Sequence, residues 1–364
     1  MGTKIALLGD ICLNGKFDFE KNKNAKIYLQ EVAQYLENFD YVIANLETPL
    51  TDRNFTLTCK ALHLKSSTLS VELLNYLHIN ILGLANNHIF DYGRAGYKDT
   101  IELLKNNSIE FYGTEGKQVL IENSTNKIAI GGYCCFSTNP SICRSRANGV
   151  NPLDPKNVVK ILQKNKENGY FNILSTHWGD ENIHYPRFDH MLTARYFADQ
   201  VPLIIHGHHT HVVQGIEDYK SSKIAYSLGN FCTDDVVSTA IKNLTVVQKK
   251  ENKESFIMAL EIEDNQIIKS EIIPLFDDGE KIKIGGSEIK QAIEEYSNAL
   301  KQSPEKYQEF RKNKMHDLSL SKYKKRTIKW FLLRLNYYFV GAFLKGILSQ
   351  KRYNKVIKTV QENL

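Results

Sequence analysis

Short apolar runs recur along the chain, and most of them are cut off by a polar cluster. Lys4–Leu8 gives way to Gly9-Asp10, Tyr41–Ala44 to Asn45-Leu46-Glu47, and Ile79–Ala85 to Asn86-Asn87-His88. Further on, Phe171–Ser175 meets Thr176-His177, Val201–Ile205 meets His206-Gly207-His208-His209-Thr210-His211, and Lys223–Leu228 meets Gly229-Asn230. Apolar runs this short, bounded by turn formers, read as buried strands. Glu110–Tyr112, Val119–Ile121 and Lys127–Tyr133 read the same way. Helical spacing lies between them, over Ala25–Glu37, Ser70–Leu77 (with Ser70 as a cap), Gly96–Lys105, Pro155–Lys166 and Met191–Phe197. The polar stretch Ser137–Asp154 reads as a long loop. Alternating strands and helices predict an α/β fold. Beyond Phe231, Leu244–Lys249, Ser255–Ile262 and Gln266–Ile273 read as strands that complete a second sheet, with Asp264-Asn265 as a turn.

In open α/β sheets, ligands bind outside the carboxyl ends of the strands. Asp10, Asn45, Glu47, Asn87, His88, His177, His209 and His211 all fall there, so residues scattered in sequence are expected to converge. In an extended backbone, His209 and His211 would face the same way, with His206 and His208 on the other side, either structural or supporting the ligands from behind. Imidazole, carboxylate and amide oxygen together suit a borderline divalent ion such as Mn, Fe or Zn. The donors outnumber the needs of one tetrahedral ion, which predicts two metals, or one metal plus catalytic groups. His88 with Asp91 three residues on is the candidate proton donor and its orienting carboxylate. Cys12 reads as a buried free thiol. Arg144 and Arg146, in the long loop, are candidates for holding a phosphate or carboxylate.

Charge changes the picture only at one end. The net charge is +6, but the segment Lys322–Lys358 holds eleven Lys or Arg and no acid, leaving 36 basic against 41 acidic residues elsewhere. The basic excess therefore belongs to the tail. Six cysteines without a CxxC pair argue against a zinc ribbon or a disulfide framework and fit a reducing compartment. The chain enters its first apolar run at once, without a charged start and apolar signal core, so a cytoplasmic protein is expected.

Six motifs in order carry a resemblance. They are Gly9-Asp10; Asn45-Leu46-Glu47-Thr48-Pro49-Leu50; Ala85-Asn86-Asn87-His88 with Asp91-Tyr92-Gly93; His177-Trp178-Gly179 with Glu181; Gly207-His208-His209-Thr210-His211; and Tyr226-Ser227-Leu228-Gly229-Asn230-Phe231. Together they resemble the CapA/PgsA family, associated with bacterial capsule and poly-γ-glutamate synthesis. The resemblance implies a calcineurin-like metallophosphoesterase-type sandwich of two mixed sheets flanked by helices, over about residues 1–280. It implies metal ligands at Asp10, Glu47, Asn87, His177, His209 and His211, and a phosphate-side role for His88 supported by Asp91. Asn45, Glu181, Asn230, Arg144 and Arg146 are then expected on the substrate side. Cys12 stands where the wider group has a histidine, and Glu47 where it has an aspartate.

Residues 281–364 read as a helical, basic and aromatic extension. Trp330–Leu348 approaches spanning length, but Arg334 and Lys345 in its body favour an amphipathic helix lying on an anionic membrane or packing on protein. The expected function is a metal-dependent hydrolase of capsule or exopolymer synthesis at the cytoplasmic membrane face. It would act on a phosphate- or carboxylate-bearing substrate, with polymer-synthesis enzymes or the membrane as partner and no nucleic acid. The alternatives are a non-catalytic assembly factor and a soluble phosphodiesterase acting on a small nucleotide.

Overall fold

A computed structural model describes residues 2–56, 60, 62–138, 149–238, 244–323 and 337–362. The first sheet contains β1 (Thr3–Ile11), β2 (Tyr41–Leu46), β3 (Ile81–Gly83) and β4 (Glu110–Tyr112), all parallel. The second contains β5 (Val119–Glu122), β6 (Lys127–Cys134), β7 (Phe171–His177), β8 (Leu203–His208), β9 (Ile216–Tyr219) and β10 (Ser222–Ala225). Its order is β5-β6-β7-β8-β10-β9, with antiparallel strands only at the two edges. The short β11 (Asn230–Cys232) returns to the first sheet, parallel to β1. A small hairpin, β12 (Val236–Val237) with β13 (Thr245–Val246), follows.

The last three strands are β14 (Glu254–Glu263), β15 (Gln266–Asp277) and β16 (Ile282–Ile284). They extend the first sheet from the β1 edge, antiparallel, in the order β16-β15-β14-β1-β2-β3-β4. This corrects the expectation that they complete the second sheet: alternation shows a strand is half-buried, but not which edge it joins. Asp264 and Asn265 both take positive φ (49° and 59°), as a two-residue hairpin turn requires. The strand expected over Leu244–Lys249 shrinks to β13, because Lys250–Lys253 turns into a short 3-10 helix.

Alternation sorts the strand residues into layers. Ile5 and Leu7 of β1 face Ile128, Ile130, Ile173 and Ile204 of the second sheet. Ala6 and Leu8 face the other way, under α1 (Ala25–Leu36), α2 (Val71–Tyr76) and α3 (Gly93–Asn106). On the far face, Leu174, Leu203 and Ile205 pack under α4 (Pro155–Glu167) and α5 (Phe188–Gln200). The result is a sandwich of two mixed sheets between helical layers. Asp154 caps α4 by accepting from Lys156 N, while Ser70 does not cap α2 and accepts instead from Phe19 N (3.3 Å).

Among the described residues, three helices follow: α6 (Ser287–Ala299), α7 (Pro304–Tyr323) and α8 (Tyr337–Gln361). Ile289 and Ile293 of α6 enter the layer between the sheets, and Tyr307 and Tyr353 are buried against the α5 side. No helix among the described residues is long and apolar enough to cross a membrane.

Candidate metal centre

Strand register gathers the polar residues. Asp10 pairs with Asn45 across β1–β2 and with Asn230 across β1–β11, and His177 pairs with His208 across β7–β8. Two glycines permit the close approach of these strands. A Cβ on Gly9 would sit 2.1 Å from Gly229 O, and one on Gly207 1.9 Å from Tyr226 O. Backbone at that distance leaves no room for any side chain.

Asp10 is fully buried. Its Oδ1 accepts from Asn45 Nδ2 (2.7 Å) and its Oδ2 from His209 N (2.8 Å). Burial alone would raise its pKa, but His208, 3.0 Å away, together with His177 and His211 holds it below the ordinary carboxylate range. Glu47 is less fully compensated. Burial, with the charge of Asp10 adding to it, pushes it up to about 8, although His211 pulls the other way. Its Oε1 lies 3.5 Å from His177 Nε2 but has no hydrogen-bond partner. His177 Nε2 meets Asn87 Oδ1 at 2.9 Å.

His209 and His211 are not extended. Their φ values are 90° and 59°, in the left-handed region that residues with a side chain rarely adopt. The two rings still converge, with centroids 6.0 Å apart, and His177 lies 4.7 Å from His209. Such strain costs of order 1–3 kcal/mol per residue and persists where surrounding contacts impose it. Asp10 accepting from His209 N and Asn252 Nδ2 donating to His211 O (3.0 Å) are two of those contacts. His211 Nδ1 is held by Asn230 Oδ1 (2.9 Å). As expected, His206 is structural: its Nε2 reaches Leu8 O (2.7 Å) and its Nδ1 Ser175 Oγ (3.2 Å).

The donors form overlapping sets whose ligand atoms lie within 4.8 Å of one another: Asp10, Glu47 and His211; Glu47, His177 and His209; and Glu181, His209 and His211. Buried Glu47 Oε1, His177 Nδ1 and His209 Nδ1 lack any partner. Buried polar groups are normally satisfied, so orphaned atoms on histidines that cluster with carboxylates fit a divalent cation. None of these sets contains Cys12, whose buried thiol is pushed well up by burial and by Glu47.

Beside these candidate ligands, His88 Nδ1 lies 2.7 Å from Asp91 Oδ2, and Asp91 is fully buried. Lys60 Nζ touches Asp91 Oδ1 (2.6 Å), His88 Nδ1 (2.9 Å) and Asn87 O (2.8 Å). Burial, reinforced by Lys60, lowers the His88 pKa. Lys60 was not foreseen, because it sits in an irregular loop without periodicity. A cleft of about 330 Å³ opens over Glu47, His88, Glu181 and His211.

The six expected ligands are thus brought together, with His88 and Asp91 adjoining. Asn45 and Asn230 lie here too, where their side chains bond to Asp10 and His211. Glu181 lines the cleft. Arg144 and Arg146 lie outside the described residues.

Two mixed sheets packed face to face, with this cluster at their strand ends, define a calcineurin-like metallophosphoesterase-type fold. Residues 4–235 match the family described as bacterial capsule synthesis protein PGA_cap, and the chain belongs to that family. It is 30% identical over 238 residues to the PGA biosynthesis protein CapA of Bacillus subtilis (strain 168), covering 63% of each chain. It is 28% identical over 285 residues to the capsule biosynthesis protein CapA of Bacillus anthracis, covering 74% of this chain and 66% of that one. The chain thus spans somewhat under two-thirds of the length of these relatives. Among solved structures, a 5'-nucleotidase precursor from Thermus thermophilus aligns at TM-score 0.43 and 13% identity, over 82% of this chain and 59% of that one.

Proposed function

We propose that this protein is a metal-dependent phosphoesterase-type hydrolase of capsule or exopolymer synthesis, poly-γ-glutamate or polysaccharide, working at the cytoplasmic membrane face. The observation that carries the reading is the pair of three-donor sets sharing buried, half-satisfied Glu47. Asp10, Glu47, Asn87, His177, His209 and His211 would hold one or two ions of Mn, Fe or Zn. Such ions supply Lewis acidity and a nucleophilic water at neutral pH. His88 faces the cleft and donates its Nε2 proton to the leaving oxygen as the P–O bond breaks. Asp91 holds Nδ1 and so fixes the ring, and Lys60 anchors both. The four described cysteines, all buried and free, support a reducing compartment.

The test compares wild type with a His209→Ala, His211→Ala double variant. The expected outcome is tightly held metal and hydrolysis of bis(p-nitrophenyl) phosphate in wild type, and loss of metal, hydrolysis and polymer in the variant. Normal polymer output from the variant would sink the reading.

A second reading, a non-catalytic assembly factor that recruits polymer synthases, is favoured by the exposed apolar face of α8 (Val340, Phe343, Leu344, Ile347, Leu348). It requires that changes on that face abolish polymer while the histidine variant does not.

A further inference from the structure

The sequence after β7 carries two adjacent acids, Asp180 and Glu181, and the fold separates them. Asp180 is ion-paired with Arg187 (3.5 Å) and Arg311. Glu181 instead groups with His209 and His211, with one ligand atom of each within 4.8 Å of the others. The loop is fixed in that position. Asn182 N donates to Thr210 O (2.8 Å), which lies between the two histidines. Asn252 Nδ2 then bridges Asn182 Oδ1 (2.8 Å) and His211 O (3.0 Å).

The two inner sets offer three donors each, whereas divalent ions of this kind take four or more. On the histidine side the donor capacity is unspent. His209 Nδ1 is buried without a partner, and Asn230 holds His211 Nδ1, leaving Nε2 available. Glu181 is exposed and lines the same cleft as buried Glu47.

We infer that Glu181 is itself a metal-ligating carboxylate, closing with His209 and His211 the open side of the centre that Glu47 closes from beneath. This rests on the metal-centre reading above and deepens it. Glu181 becomes a ligand and not a substrate contact.

Mn²⁺ binding to purified, chelator-stripped full chain tests it, read by electron paramagnetic resonance titration and by metal stoichiometry. Glu181→Gln keeps the shape and removes the charge. It is expected to weaken Mn²⁺ binding by at least about tenfold or to lose one equivalent, with Glu181→Asp intermediate. Asp180→Asn, next door but paired with arginines, should leave Mn²⁺ binding unchanged. Wild-type Mn²⁺ binding by Glu181→Gln overturns the inference while leaving the metal centre standing. Failure of wild type to bind any of Mn²⁺, Fe²⁺ or Zn²⁺ overturns both.

Discussion

The strand-end cluster and the network beneath the C-terminal helices are both buried and polar, but they are completed differently. In the network, Arg187 forks onto Asp189 with two contacts of 3.1 Å, and Arg311 reaches Asp180 and Tyr185 O. Tyr353 of α8 donates to Asp189 and lies 3.1 Å from His190 Nε2. Asp189 is lowered to about 2, because His190 and Arg187 outweigh its burial. Only His190 Nδ1 is left over. Around Glu47, by contrast, Glu47 Oε1 and one ring nitrogen each of His177 and His209 lack partners, and the acid itself is pushed up. A satisfied network fixes structure, whereas an unsatisfied one with converging donors is completed by something from outside.

The sharpest way to break this contrast is through glycine. Gly207 lies where β8 meets Tyr226, and a Cβ would also come within 2.4 Å of that carbonyl carbon. Gly207→Ala is expected to cost more than about 4 kcal/mol or to abolish folding, as measured by urea denaturation. Gly346, within α8, has nothing within 4 Å of its Cβ position. Gly346→Ala should stabilise by about 0.5–1 kcal/mol in the same assay. Equal effects at the two positions would mean that the strand ends are not close-packed as described.

Proton linkage gives a smaller effect of definite sign. In metal-free protein, burial pushes Glu47 up to about 8, while Glu47, Glu181 and Asp10 overcome burial to hold His211 up to about 9. The folded state then keeps protons that the unfolded chain, at 4.5 and 6.5, has released. Metal-free stability should therefore fall as pH rises from about 6.5 to 9. Metal requires the deprotonated ligands, so the rise in Tm produced by Mn²⁺ should grow over the same range. Thermal melts with and without Mn²⁺ check this, and a Mn²⁺ effect that shrinks as pH rises would contradict it.

How much of this was legible in the sequence follows from what each feature depends on. The inside-outside alternation of Ile5, Ala6, Leu7 and Leu8 is local, so strands and layers could be read directly. The candidate ligands could be read because each stands just past an apolar run. The sheet joined by β14–β16 could not, since edge choice is a tertiary matter. The left-handed backbone at His209 and His211 was hidden for the same reason: Asp10 and Asn252, distant in sequence, help impose it. Lys60 had no pattern to announce it.

The tail poses the last contrast, within one helix. The second half of α8 buries Tyr353 and Val360, while Val340, Phe343, Leu344, Ile347 and Leu348 form an i, i+3, i+4, i+7, i+8 stripe that is 43–62% exposed. Lys351, Arg352, Lys355 and Lys358 follow without an acid among them. A stripe beside basic residues suits an anionic lipid surface. Phe343→Ser with Leu344→Ser removes no buried contact, so stability should change by less than about 0.5 kcal/mol. Each large apolar side chain is worth about 1.5–3 kcal/mol on burial, so co-sedimentation with phosphatidylglycerol vesicles should weaken by more than about tenfold. Undiminished vesicle binding by the double variant would remove the membrane role from this stripe. A wild type that ignores vesicles, with a variant that still loses polymer, would assign the stripe to a protein partner.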